Sequence, residues 1–267
     1  NEKITPYRYS VYLDEEDVTV DFAPSNQSAV YDLTFGKESG NQLVIQTRNG
    51  KLESTGKGLS GYQLIDEKTK VYMYLEAEQT PVNAGVLRDG KTDIKSTFVE
   101  GQNCAMVLGF YSKQVRLRYG ISFISCEQAK LNLRREINTY SVNEIAQKGR
   151  DRWNEVLGKI IVDGGDENDK VVFYTSLYRV YERMVNISED GRYYSATDGK
   201  IHDDEGTSFF VDDWIWDTYR AAHPLRVLID SEMEQAMITS YIRMAQQAPD
   251  GWMPTFPEIM GDTYRMN

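Results

Sequence analysis

Residues 120–137 read "GISFISCEQAKLNLRREI", and a change of period inside this stretch decides the fold. From Tyr7 to about Ile124 apolar residues alternate with polar ones, as in Tyr7, Tyr9 and Val11 and again in Val71, Met73 and Leu75. Alternation buries one face of a strand, whereas a spacing of four buries one stripe of a helix. After "GISFIS" the spacing becomes four, with Ala129, Leu133 and Ile137 in line. The chain is therefore β first and α afterwards.

Upstream of the switch the pattern predicts strands near 7–13, 18–23, 29–35, 42–48, 51–55, 62–66, 70–79, 95–99, 103–111 and 114–124. Asn49-Gly50 and Asp89-Gly90 are hairpin signals, because the tight primed turns need positive φ, which Asn, Asp and Gly tolerate best. So many short strands joined by turns make a large antiparallel sandwich.

Downstream, Ser141 and Glu144 have the spacing of a capping box that opens a helix running through Ile145, Trp153 and Ile160, and Gly164-Gly165 stops it. The acid-rich "DENDK" at 166–170 opens another helix, with Val172, Thr175, Tyr178 and Met184 at helical spacing. Residues 191–209, "GRYYSATDGKIHDDEGTSF", read as a long irregular link. A helix is expected over 212–223, "DDWIWDTYRAAH", with a break at Pro224. A second capping box, Ser231 with Glu234, opens a last helix whose stripe Met233, Met237, Tyr241 and Met244 reads as core. A sandwich, a helical linker and paired helices with long loops describe several carbohydrate-active enzymes that carry an (α/α)6 toroid, although fold analogy cannot name a chemistry.

Composition narrows the function. Forty-one acidic against thirty basic residues give a formal charge of −11, which opposes phosphate-backbone binding and makes nucleic acid a poor partner. No apolar run reaches the length of a membrane span. The first residues, "NEKITPYRY", lack the zones of a signal peptide. Cys104 and Cys126 are too few for a disulfide framework or a cysteine-rich metal site and read as buried thiols.

The segment 212–223 packs three aspartates, two tryptophans, a tyrosine, an arginine and a histidine into twelve positions. A solvated helix has no use for the tryptophans and a core helix none for the carboxylates, but the wall of a polar pocket uses both. A pyranose offers apolar C–H faces and polar edges, so Trp216, Asp217, Arg220 and Trp252 are suited to hold one. Against this, Asp217 and Arg220 stand three apart and suit a surface ion pair. Trp214 and Trp216 cannot share a helix face, so one of them belongs to a core. Asp212 and Asp213 suit the acidic start of a helix. His202 with Asp203, Asp204 and Glu205 has metal-ligand types, but a loop run of acids is usually solvated. His223, before Pro224, reads as a hydrogen-bonded structural residue.

Three stretches taken together carry a family resemblance: residues 120–137, quoted above; "FYTSLYRVYERM" at 173–184 with "WDTYRAAHPL" at 216–225; and "GWMPTFPEIMGDTYRM" at 251–266. In that order and spacing they resemble the α-mannosidases of glycoside hydrolase family 92. The resemblance implies a calcium-dependent, exo-acting, inverting enzyme, exported, with a mannose-containing glycan as substrate. It implies an N-terminal β-sandwich of the supersandwich type over 1–125, a helical linker over 126–165 and the first part of an (α/α)6 catalytic domain over 166–267. The general-base aspartates and most calcium ligands of the family are expected beyond residue 267, and the metal-binding residues of this chain are left open. Aligning "MGDTYRM" on the family's Glu-Thr acid motif places Asp262 at the general acid, where the family has glutamate, with Thr263 beside it in substrate binding and Glu258 as the alternative donor. Two other readings stay open: a glycoside phosphorylase of similar architecture, and a carbohydrate-binding relative that has lost catalysis.

Overall fold

The computed structural model describes residues 1–262, the last of them by its backbone alone. The chain divides into two compact units, Asn1–Ile65 with Lys70–Trp153, and Asp66–Thr69 with Asn154 onward.

The first unit holds β1 (Glu2–Thr5), β2 (Arg8–Leu13), β3 (Val18–Pro24), β4 (Ser28–Phe35), β5 (Asn41–Ser54), β6 (Gly58–Leu64), β7 (Lys70–Ala77), β8 (Asn83–Arg88), β9 (Lys91–Asp93), β10 (Phe98–Phe110) and β11 (Gln114–Ser122). They form one sheet in the order β1-β2-β3-β4-β11-β7-β6-β5-β10-β8-β9. Every neighbouring pair is antiparallel. Leu52, Leu59 and Leu108 are fully buried in an apolar cluster that reaches from Val18 and Leu33 on β3 and β4 to Val86 on β8. The unit's helices pack on a different cluster, so this core is covered by the sheet itself, which folds over into a sandwich.

Those helices are α1 (Cys126–Glu136) and α2 (Val142–Leu157). Ser125 caps α1 by accepting from Gln128 N. The period-four residues Leu133 and Ile137 pack with Val142, Ile145 and Ala146 on Ala23 and Val30 of the sheet. Gly120 makes this approach possible, since a Cβ there would lie 2.3 Å from Ala129 O and 2.9 Å from Leu133 Cβ. Arg118 binds the end of α1 to the sheet: Nη1 donates to Ile137 O (2.6 Å) and Nη2 pairs with Glu76 (2.5 Å).

Several boundaries differ from the expected ones. Residues 42–48 and 51–55 are one strand, β5, paired along its length with β10, into which 95–99 and 103–111 merge. Asn49 does adopt positive φ (49°), but the next residue, Gly50, pairs with Gly101 (φ 148°), and the strand runs on through this point instead of reversing. Asp89 (φ 48°) and Gly90 (φ 72°) do form the two-residue hairpin, with Arg88 opposite Lys91. The pattern had shown none of β1, β8 and β9. Cys104 is buried, but Cys126 is only half-buried, its Sγ 3.2 Å from Gly61 O.

The second unit contains α3 (Glu167–Val180), the strands β12 (Val185–Asn186), β13 (Arg192–Ser195), β14 (Lys200–Asp203) and β15 (Phe210–Val211), and the helices α4 (Ile215–Thr218), α5 (Ala222–Ile229) and α6 (Ser231–Gln247), followed by β16 (Pro257–Glu258) and β17 (Gly261–Asp262). Asp166 and Asp169 cap α3 reciprocally. The expected stripe of α3 is not its buried face, since Val172 is 65% exposed and Leu177 is the buried residue. The link at 191–209 is not irregular: β13 and β14 pair as a hairpin, with Tyr193 stacked on Phe209 at 3.9 Å. The methionine stripe is core as read, with Met237 and Tyr241 packed on Met184 and Phe210.

Candidate active site

The expected helix over 212–223 is two pieces. Only Ile215–Thr218 forms a turn of α4, and the chain breaks at Ala221 rather than at Pro224. Pro224 lies in the first turn of α5, where its missing N–H costs nothing. Nor do Asp212 and Asp213 decorate a helix start. Asp212 has φ 61°, an uncommon conformation for a residue with a Cβ, and its Oδ1 accepts from Ile259 N at 2.9 Å. Burial, then the charge of Glu258, pushes its carboxyl above the usual range, against the Ile259 N–H.

Asp213 is fully buried and is the hub of a polar network. It accepts from Tyr241 Oη (2.7 Å) and Thr218 Oγ1 (2.9 Å), and lies 2.9 Å from His223 Nε2. His223 Nδ1 is 2.6 Å from Glu234, itself 2% exposed. Burial alone would depress the imidazole, but hydrogen bonds to Asp213 and Glu234 raise it to about 9. Burial likewise opposes ionisation of Asp213, and its bonds from His223 and Tyr241 overcome this and hold it below the usual range. His223 is thus the hydrogen-bonded structural residue expected, whereas Glu234 was misread as a capping-box acid; α6 has no side-chain cap. Glu234 and Tyr241 stand seven apart on α6 and so share a helix face, but spacing gave no signal that Asp213, from the separate segment before α4, converges on them.

Arg226 is fully buried beside this network, and its Nη2 donates to the carbonyls of Val180 and Arg183. It pins the C-terminal end of α3 to α5.

The backbone brings the two candidate segments together. Asp212 N and Asp213 N donate to Pro257 O (2.6 and 3.2 Å), and Ile215 N to Thr255 O (3.4 Å). Glu258 of β16 therefore lies beside the start of α4. Trp214 is held between the Arg183 guanidinium, 4.0 Å from its ring, and Phe256. It is 39% exposed and Trp216 is 64% exposed, so neither tryptophan belongs to a core. Asp217 and Arg220 are exposed, and Arg220 Nε donates to Tyr219 Oη (2.8 Å) rather than pairing with Asp217.

Next to these strands is a cleft of about 610 Å³ lined by Trp252, Met244, Thr255 and Gly261, with Lys68 donating to Ala196 O across 2.6 Å. Among the described residues, Trp252 is the candidate from the sequence that lies on its wall. Trp216 and Asp217 on α4, and Arg220 two residues past its end, stand outside that wall. Asp262 pairs with Pro257 through the backbone of β17, while its side chain and all of Thr263 lie outside the described residues. His202 is not free for a metal: Nε2 is 3.0 Å from Asp198 and the ring stacks on Tyr193.

The glycosyl hydrolase family 92 N-terminal domain matches residues 1–122 and the glycosyl hydrolase family 92 catalytic domain matches residues 128–267. A search of the curated proteins gave no match. Among solved structures, the family GH92 inverting mannosidase of Bacteroides thetaiotaomicron is 26% identical with a TM-score of 0.88, over 99% of this chain and 37% of its own. A family GH92 α-mannosidase of the same organism is 23% identical with a TM-score of 0.89, over 99% of this chain and 38% of its own, and has also been solved with mannoimidazole. This chain thus spans well under half the length of these relatives.

Proposed function

The chain belongs to glycosyl hydrolase family 92, and on that premise we propose that the protein is an exo-acting α-mannosidase that hydrolyses mannose-containing glycans with inversion. The observation that carries this is the tandem match of both family domains over nearly the whole chain. The inverting mannosidase at 26% identity agrees with it.

Inversion needs a protonated carboxyl at the leaving oxygen and a carboxylate that activates water on the opposite face of the sugar, roughly 6.5–9.5 Å away. In this reading Asp262 is the acid and Glu258 the alternative donor, both on the β16–β17 pair. Aspartic acid is one methylene shorter than glutamic acid, so the acid would approach the glycosidic oxygen more closely. Trp252 on the cleft wall offers an apolar face to the sugar, and Trp216, Asp217, Arg220 and Thr263 bind it.

Calcium and export enter through the family resemblance. Among the described residues no group of three or more carboxylate, imidazole or thiol side chains is placed to hold a metal. The buried carboxylates Asp213 and Glu234 are already committed to His223.

The test is mannose release from an α-linked mannobiose by the native protein, followed by proton NMR of the first anomer formed. β-Mannose is expected, without dependence on inorganic phosphate. Retention of the α-anomer, phosphate-dependent turnover or no release would overturn the reading.

A further inference from the structure

We propose that the sandwich carries a binding site of its own for a small saccharide bearing one anionic group, centred on Arg48 and Arg88. The backbone creates the space. Pairing between β8 and β10 ends at Val86 opposite Met106, and pairing between β5 and β6 begins only at Gly50 opposite Gln63. Residues 46–48 and 103–105 pair with each other, but the strands on either side have left them. What remains is an open basin of about 940 Å³, with the β8–β9 hairpin on one side and Gln63 on the other.

Register fixes which side chains share it. Asn103 is opposite Arg48 and Ala105 opposite Gln46, so these four project to one face. Gln46, Arg48 and Asn103 are exposed there, and Arg88 and Asp89 come from the hairpin. Arg48 keeps its position through its backbone, whose N–H donates to Gln63 Oε1 at 3.0 Å. Neither guanidinium forms an ion pair among the described residues, although acids outnumber bases 41 to 30 and other arginines of the same sheet are paired, as Arg116 is to Asp32. Beneath the basin, Thr47 is 6% exposed and its hydroxyl has no hydrogen-bond partner.

Two unpaired guanidiniums present forked donors suited to a carboxylate or phosphate. The amides of Gln46 and Asn103 and the carboxylate of Asp89 add the mixture of donors and acceptors that hydroxyl groups require. A sugar acid or a sugar phosphate satisfies both; a neutral sugar leaves the guanidiniums unused and an inorganic anion leaves the amides unused. The saccharide part rests on the family, the anionic part on the basin itself, and neither rests on the reaction proposed above.

The experiment is titration of the native protein with glucuronate, glucose 6-phosphate and glucose, followed by calorimetry, for wild type, Arg48→Gln and Arg88→Gln. None of the three probes is a mannoside, so mannosidase activity, assayed separately, does not affect the outcome. Saturable binding of at least one anionic sugar is expected, at least tenfold tighter than glucose and weakened about tenfold or more by each substitution, with melting temperatures unchanged. Stronger binding of glucuronate assigns a carboxylate ligand, and stronger binding of glucose 6-phosphate a phosphate. Binding that both variants retain, or no saturable binding of either anionic sugar, would overturn the proposal.

Discussion

His223 Nε2 lies 2.9 Å from Asp213, while the other nitrogen of the same ring lies 2.6 Å from Glu234. An imidazole can donate from both nitrogens only when it is protonated. The ring is thus a half-buried cation between two buried carboxyl groups, tying the start of α4 to α5 and α6. Removing one member of such a set leaves uncompensated charge, at a cost of about 3–5 kcal/mol. His223→Ala is therefore expected to lower unfolding stability by about that amount in a denaturant titration. A loss under 1 kcal/mol would mean that the cation is not what holds the two carboxylates in place.

The same network sets a pH dependence. The folded-state value for His223, about 9, lies above its ordinary 6.5, so its stabilisation is complete below 6.5 and is lost as pH rises through about 9. Asp213 is held below its ordinary 3.8, so its contribution is present above 3.8 and is lost as pH falls through the depressed value. Wild type should lose stability between pH 6.5 and 9, and His223→Ala should be flat over that interval. A parallel decline in both proteins would place the titration elsewhere.

Gly50 lies within β5, paired with Gly101 on one side and Gln63 on the other. An added Cβ would lie 2.1 Å from Tyr62 O, which is backbone and cannot swing aside. Gly50→Ala should destabilise the sandwich by about 1–3 kcal/mol, read by thermal unfolding. Gly90→Ala meets no atom within 4 Å, but its φ of 72° makes it the matched test of conformation alone.

The fold was legible wherever one signal acted by itself. Alternation marked the sheet, the spacing of Ala129, Leu133 and Ile137 marked α1, and the methionine stripe marked the buried side of α6. Legibility failed where two physical demands used the same residues. Asn49-Gly50 has the conformational freedom of a hairpin, but long-range pairing of β5 with β10 carries the strand on through it. Glu234 stands three residues after Ser231, as a capping box requires, yet a buried histidine holds it instead. For the candidate site, the two segments singled out by composition and resemblance are joined by backbone hydrogen bonds to Pro257. Neither composition nor resemblance could show that Asp213 faces inward while Trp216, two residues past Trp214 across the first turn of α4, faces solvent.

Asp217 separates the structural from the binding role of α4. It is exposed and has no ion pair with Arg220, so its removal should leave the fold intact. If it binds a sugar hydroxyl, Asp217→Ala in the native protein should lower kcat/KM by about ten- to a hundredfold, since a charged hydrogen bond contributes about 1.5–3 kcal/mol. The melting temperature should stay nearly unchanged. Activity within twofold of wild type would remove Asp217 from the site.

Asp262 is tested through the leaving group. A general acid matters most when the departing oxygen is a basic sugar alkoxide and little when it is a nitrophenolate, which leaves unprotonated. If Asp262 is the acid, Asp262→Asn should nearly abolish cleavage of mannobiose, spare a nitrophenyl mannoside and remove the alkaline limb of the pH–rate profile. Glu258→Gln, on the partner strand, should leave that limb in place. If the limb vanishes with Glu258→Gln instead, Glu258 is the donor. Equal slowing of both substrates by Asp262→Asn would make Asp262 a sugar-binding residue and leave protonation of the leaving group to another carboxyl.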